Sequence, residues 1–123
     1  MSQRELRYSK DHEWIRAESD KGKIGITAFA QEQLGEIVYV ELPEVGSVFA
    51  QGDQFGSIES VKAVSDLYCP VSGVVIGVNE SVVDAPDLVN KDPEAAWLIE
   101  IELNDSNEMS SLLESAEYDE LVK

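Results

Sequence analysis

The 123-residue sequence predicts one mainly β domain, a sandwich or barrel made of two small sheets that face each other. Many short strand-like segments follow one another closely, separated by glycine, proline and polar turn residues. A weak repeat also favours two similar sheets, because residues 46–49 (GSVF) precede a turn at 51–53, and residues 73–76 (GVVI) precede one at 78–80. The two copies flank a central segment, residues 55–68, which we interpret as a hairpin.

The first half of the chain alternates strand-like runs with turns. Residues 36–42 (EIVYVEL) are rich in β-branched and aromatic side chains, which is typical of a strand. The polar residues 19–22 (SDKG) predict a hairpin turn. Thr27 is a candidate N-cap for a helix over residues 28–34, which Gly35 would end. The strands predicted in this half span residues 4–8, 13–18, 23–27, 36–42, 47–50 and 55–60.

The second half begins with a strand that starts after Lys62 and runs to Tyr68, and another follows over residues 73–78. An irregular stretch marked by Pro86 and Pro93 then holds one short helix near residues 80–83. Residues 97–103 alternate as a half-buried strand does. One face of this strand would carry Trp97, Ile99, Ile101 and Leu103, and the other Glu100 and Glu102.

The tail predicts two short amphipathic helices within about residues 106–122. Apolar residues recur there at helical spacing behind Ser106 and again behind Ser115, and we expect these serines to cap the two helices. No linker or low-complexity run interrupts the chain. We therefore expect residues 1–123 to form a single domain.

Composition narrows the possible functions. With 25 acidic and 9 basic residues, the formal charge is −16, so the chain would repel nucleic acid and anionic membranes. The lone cysteine excludes an internal disulfide, and the lone histidine, His12, leaves little for histidine-based catalysis. Since the N-terminus has no apolar signal-peptide core, we expect a cytoplasmic protein, or a mitochondrial-matrix protein only if a transit peptide was removed.

Lys62 is the main candidate for chemistry. It lies between two strand-like runs, at the expected tip of the central hairpin, and it is a rare base in an acidic chain. Such a lysine is either a solvated charge or a modification site, whose acylation would remove the charge and lengthen the side chain into an arm.

Other candidates have simpler interpretations. We expect His12 to pack or to form a hydrogen bond, and Cys69 to be a small core residue. Asp84, Asp87 and Asp92 miss the spacing of a calcium loop, so we expect solvated acids and no metal site.

An ordered series of short strings resembles the glycine cleavage H-protein family of lipoyl carriers, over about residues 5–122. The VKA string around Lys62 is similar to a lipoyl site and unlike the MKM string of biotin carriers. In order, the strings are DHEW (11–14), GIT (25–27), AQEQLG (30–35), VELP (40–43), ESVKA (59–63), SD (65–66), PVSG (70–73), VNE (78–80), LVN (88–90), DP (92–93) and WL (97–98).

The resemblance implies a barrel-sandwich hybrid, or hammerhead, of two small antiparallel sheets with a few short peripheral helices. It implies lipoate in amide linkage on Lys62, with Glu59 recognised by the lipoate-attaching enzyme. It also implies that Glu13 and Asp66 line a cleft in which the loaded arm rests.

A protein of this family would be a carrier and not an enzyme. Its lipoyl arm would collect an aminomethyl group from the pyridoxal-phosphate glycine decarboxylase (P-protein). It would present that group to the tetrahydrofolate-dependent aminomethyltransferase (T-protein), and dihydrolipoamide dehydrogenase (L-protein) would reoxidise the arm.

Two departures from the family pattern keep alternatives open. Family members usually have glycines before the late tryptophan and lysines after it, whereas this chain has Glu94-Ala95-Ala96 before Trp97, followed by Glu100 and Glu102. One alternative is therefore a relay protein that donates its lipoyl group to other carriers. Another is an unmodified acidic interaction module.

Overall fold

The structure is a computed structural model that describes residues 4–122. Nine antiparallel strands in that part of the chain form two sheets. The strands are β1 (Arg4–Tyr8), β2 (Glu13–Glu18), β3 (Lys21–Ile26), β4 (Ile37–Glu41), β5 (Val48–Phe49), β6 (Gln54–Ser60), β7 (Val64–Tyr68), β8 (Gly73–Val78) and β9 (Ile99–Leu103). The helices are α1 (Ala28–Leu34), α2 (Glu80–Asp84), α3 (Asp87–Lys91) and α4 (Ser115–Leu121), with a 3₁₀ helix at Ser106–Ser111 before α4.

The larger sheet has six strands in the order β1-β2-β3-β9-β8-β5. Two features of the sequence fix its register. Gly25 lies opposite Trp14, and a Cβ on this glycine would come within 2.5 Å of the indole, so only glycine leaves room for that ring. The two copies of the weak repeat pair with each other in this sheet, where Val48 is the partner of Val74.

The smaller sheet has three strands in the order β4-β6-β7. Strands β6 and β7 form the central hairpin that the sequence predicts between residues 55 and 68. The fold class is therefore confirmed as two antiparallel sheets with short helices, although the sheets are unequal in size.

The core lies between the two sheets. The alternating apolar residues of both sheets are fully buried there, and each such side chain contributes about 1.5–3 kcal/mol relative to exposure to water. The larger sheet supplies Ile15, Ile24, Ile99 and Ile101, and the smaller sheet supplies Val40, Ile58 and Leu67. A second cluster of Tyr8, Trp14 and Tyr118 attaches α4 to the edge strand β1.

Several predicted boundaries were wrong by one or two residues. The β2–β3 turn is shorter than predicted, because β3 begins at Lys21 and Ser19 adopts a positive φ of 58°. Strand β9 begins at Ile99, so Trp97 lies outside it and packs against the second cluster. The short helix α3 was not predicted, because its five residues lie between two prolines.

The tail differs from the prediction in its caps and in one helix type. The first tail helix is 3₁₀, and its N-cap is Asp105, whose carboxylate accepts a hydrogen bond from Asn107 N. Helix α4 is capped by Glu114 and not by Ser115, with Glu117 accepting a hydrogen bond from Glu114 N. The predicted cap of α1 is confirmed, since Thr27 Oγ1 accepts from Ala30 N and Gly35 follows with φ 85°.

No helix in residues 4–122 is long and apolar enough to cross a membrane.

Candidate functional site

Lys62 lies in the turn between β6 and β7, and its side chain is exposed. Within the part of the chain that the structure describes, no carboxylate lies within ion-pair distance of Lys62. The amine is therefore accessible to a modifying enzyme and is not held in a salt bridge.

Ser60 builds this turn from within. It is buried, and its Oγ accepts hydrogen bonds from Lys62 N at 3.2 Å and Ala63 N at 3.0 Å. Ser60 N donates to Ala63 O at 2.8 Å, which closes the turn. Sequence reasoning missed this residue, although serine hydroxyls commonly bond to the backbone of nearby residues in turns.

The turn rests on residues 35–37, which connect α1 to β4 and which we call the ledge. Val61 N donates a hydrogen bond of 3.0 Å to Glu36 O. The aliphatic part of Lys62 crosses Gly35, where Lys62 Cε lies 3.5 Å from the position that a Cβ on Gly35 would take. The direction in which Lys62 leaves the hairpin therefore depends on where the ledge lies.

The outer face of the smaller sheet extends away from this turn. Its first row places Glu59 between Tyr39 and Val64, and all three side chains are exposed. Tyr39 is 49% exposed and Val64 is 65% exposed, which is unusual for side chains of this size and polarity. The next row is Glu41, Ser57 and Asp66, and Asp66 accepts a hydrogen bond from Gln54 Nε2 at 3.1 Å.

Glu13 occupies a different environment from Asp66. Its carboxyl group is inside the protein, with the residue 1% exposed, and it accepts hydrogen bonds from Ser9 Oγ at 2.8 Å and Tyr68 N at 3.0 Å. Burial raises the pKa of Glu13 to about 8, while these two hydrogen bonds act in the opposite direction. Both acids thus lie along β7, one at the surface and one beneath it.

The interpretation of His12 as a hydrogen-bonding residue is confirmed. His12 Nδ1 shares a hydrogen bond of 2.8 Å with the Tyr118 hydroxyl, which shares another of 2.7 Å with Thr27 Oγ1. Cys69 is buried in the core, where desolvation raises the pKa of its thiol to about 12, so it is not a reactive nucleophile.

The acids that depart from the family pattern lie on the larger sheet, away from the hairpin. Glu100 lies opposite Lys23 and Glu102 lies opposite Lys21 in the register of β3 and β9. These charges are opposite in sign and adjacent across the strand pair, an arrangement that is more favourable than two like charges. Among the described residues, no cluster of three or more His, Cys, Asp or Glu side chains could hold a metal ion.

Two facing sheets that present an exposed lysine at a hairpin tip define a carrier domain. A family model described as "Glycine cleavage H-protein" matches residues 6–123. The H protein of the glycine cleavage system from Brevibacillus brevis is 55% identical over 119 residues, covering 96% of this chain and 94% of its own. That from Geobacillus thermodenitrificans is 55% identical over 120 residues, covering 97% and 94%.

A solved structure is similar over almost the whole chain. The crystal structure of a glycine cleavage system H protein from Mycobacterium marinum has a TM-score of 0.87 and 39% identity, covering 94% of each chain. The chain belongs to the glycine cleavage H-protein family, whose members are non-catalytic lipoyl carriers.

Proposed function

We propose that Lys62 is the residue to which lipoate is attached, in amide linkage to Nζ. The observation that carries this proposal is its position, an exposed and unpaired amine at the tip of a hairpin whose turn is held by Ser60. The site fits the group, because the ESVKA string surrounds Lys62 and the residue is exposed.

When attached, lipoate supplies a disulfide that can accept the aminomethyl group of glycine and pass it on. The protein presents its lipoyl arm in turn to glycine decarboxylase, the aminomethyltransferase and dihydrolipoamide dehydrogenase. Tethering by Lys62 makes each encounter effectively intramolecular once a partner enzyme has docked. The bacterial origin of the similar proteins supports the cytoplasmic location expected from the sequence.

Glu59 is proposed to identify the site to the lipoate-attaching enzyme. It is exposed three residues before Lys62, and it lies between the exposed side chains of Tyr39 and Val64. An enzyme that approaches Lys62 from the outer face first meets Glu59 flanked by Tyr39 and Val64, with Glu41 and Asp66 in the next row. Such a surface is suited to a partner that offers a base within an apolar rim.

Asp66 and Glu13 are proposed to hold the loaded arm at rest. Asp66 is exposed on the outer face, whereas Glu13 is buried and bonded to Ser9 and Tyr68. The Asp66 carboxylate beside an ammonium group would keep that group protonated, whereas Glu13, whose pKa burial raises to about 8, would ionise when the ammonium group comes beside it.

The proposal is tested with Lys62→Arg, which keeps the positive charge but removes the amine that accepts the acyl group. We expect no lipoylation and no glycine–bicarbonate exchange with glycine decarboxylase. The free energy of unfolding should change by less than about 0.5 kcal/mol, because the side chain is exposed.

Lys91→Arg is the matched control, since Lys91 is also an exposed lysine and pairs with Asp87 on α3. This variant should be lipoylated normally. Intact mass and peptide mapping report the modification, and full exchange activity in Lys62→Arg would contradict the assignment. A protein that is never modified in its native cell would instead be an interaction module.

The relay alternative is separated by reconstitution with glycine decarboxylase. The two glutamates that suggested it lie opposite lysines on the larger sheet and not beside Lys62, so they do not favour it. A lipoylated protein that is not charged by glycine decarboxylase, yet gives its lipoyl group to other carriers, would support the relay.

A further inference from the structure

Asn90, on α3, is bonded to both backbone polar groups of Ile37, the last residue of the ledge. Ile37 N donates to Asn90 Oδ1 at 2.8 Å, and Asn90 Nδ2 donates to Ile37 O at 3.1 Å. The side-chain amide therefore pairs with β4 much as a neighbouring strand would, at the edge opposite β6.

Gln31, near the end of α1, extends this network to the start of the ledge. Its Nε2 donates to Asn90 Oδ1 at 3.3 Å and to Gly35 O at 3.1 Å. The ledge is thus held at both ends, at Gly35 by Gln31 and at Ile37 by Asn90.

The middle of the ledge carries the hairpin tip. Glu36 O accepts from Val61 N, and the aliphatic part of Lys62 crosses Gly35. A displacement of the ledge would therefore move the turn that presents Lys62, although Asn90 itself does not touch the lysine.

We propose that Asn90 is a positioning residue for the attachment site. It fixes the ledge and, through the hydrogen bond between Glu36 and Val61, the conformation in which Lys62 is offered to the lipoate-attaching enzyme. This inference rests on the proposed modification of Lys62. The proposal gives α3, which lies at one edge of β4, a role at the attachment site, which lies at the opposite edge.

The test is Asn90→Asp, which is nearly isosteric. The ionised side chain can still accept from Ile37 N, but it now faces Ile37 O with an oxygen in place of a donor. We expect kcat of a lipoate ligase acting on the unmodified protein to fall about tenfold, with KM near the wild-type value. Hydrogen exchange at the Val61 amide should become about tenfold faster.

Asn79→Asp is the matched control. Asn79 Nδ2 donates to Trp97 O at 2.8 Å. The same substitution there removes a similar bond that does not involve the ledge. It should lower stability while leaving the ligase kcat and Val61 exchange at wild-type values. Asn90 Nδ2 also donates to Asp87 Oδ1 at 3.4 Å, so the new carboxyl group faces Asp87 as well as Ile37 O. Lowering the pH should restore Val61 protection in Asn90→Asp relative to wild type, because a protonated carboxyl group can again donate to Ile37 O.

A smaller change in the same direction is expected for Gln31→Leu, which keeps both bonds between Asn90 and Ile37. This variant replaces Asn90→Asp in the test if Asn90→Asp does not fold.

Wild-type kcat and Val61 exchange in a folded Asn90 variant would overturn the inference, as would equal effects of the Asn79 control. If the wild-type protein is not lipoylated on Lys62, the proposed function fails and this inference fails with it. Normal wild-type lipoylation with an unaffected Asn90→Asp overturns only the positioning role.

Discussion

Glu13 is the residue whose environment departs most from expectation. Glu13 begins β2 and lies on the same face as the buried Ile15 and Ala17, while Trp14 is buried on the opposite face. A carboxyl group at the end of a strand is usually exposed, so the sequence did not indicate this burial. Its burial depends on two partners, Ser9 and Tyr68, and only the fold brings Tyr68 to it.

Burial of Glu13 makes stability depend on pH. Its pKa is about 8 in the folded protein and near 4.5 when the residue is exposed, so the folded state binds this proton more tightly. The stabilisation is complete below about pH 4.5 and is lost as the pH rises through 8. Between pH 5 and pH 7, the wild-type protein should lose about 2 kcal/mol of unfolding free energy through Glu13, and Glu13→Gln should not show this loss. Urea unfolding at each pH measures the unfolding free energy.

Glu59→Gln controls for the loss of one charge, since Glu59 is exposed on the outer face. An unchanged pH profile in Glu13→Gln would contradict the burial of this carboxyl group.

The Glu13→Gln variant, together with Asp66→Asn, tests the proposed arm cleft. Ammonia should be released from the glycine-charged carrier about tenfold faster in these variants, in the absence of the transferase, and wild-type rates in both would remove the two acids from the cleft.

At the scale of elements, α4 buries one side chain, that of Tyr118. Tyr118 is buried, stacks on Tyr8 with ring centroids 4.6 Å apart, and bonds through its hydroxyl to His12 and Thr27. The helix has seven residues and would not be stable alone, so its position depends on these contacts.

Tyr118→Phe keeps the stacking but removes the hydroxyl. His12 Nδ1 and Thr27 Oγ1 then lose a partner in a largely buried setting, and we expect the free energy of unfolding to fall by about 1–2 kcal/mol. Tyr39→Phe is the control, because Tyr39 is exposed on the outer face. A loss as small as that of the control would show that packing alone holds α4.

The sequence predicted elements best where a side-chain pattern repeats or a cap has one clear candidate. The β9 alternation and the Thr27 and Gly35 caps of α1 were found for these reasons. Helix α3 was missed because five residues between prolines give no helical period, yet it carries Asn90, which holds the ledge. Caps of the tail helices were misplaced by one residue, because aspartate caps a helix as well as serine does, and because Glu114 caps α4 through a reciprocal bond with Glu117.

At the scale of the whole molecule, the sequence predicted two sheets and the position of Lys62 at a hairpin tip. It could not show that the repeat copies pair within one sheet, leaving three strands for the other. The parts of the site that come from distant segments, Glu13 beside Tyr68 and Asn90 beside Ile37, required the fold itself.

The formal charge of −16 also belongs to the whole molecule, and three of the acids, Glu41, Glu59 and Asp66, are exposed on the outer face near the attachment site. A field of this kind accelerates encounters with a basic partner and is screened by salt, with a Debye length of about 10 Å at 0.1 M. The acids of β9 differ, because they lie opposite lysines.

We therefore expect the KM of glycine decarboxylase for the lipoylated protein to rise severalfold between about 20 mM and 300 mM salt. Glu41→Gln should raise KM at low salt and flatten its salt dependence, because Glu41 is exposed on the face that carries the hairpin. Glu102→Gln removes an equal charge opposite Lys21 and should change both quantities less. A KM that is independent of salt would mean that the acidic surface serves solubility only. Equal effects of the two variants would mean that total charge, and not the outer face, directs the encounter.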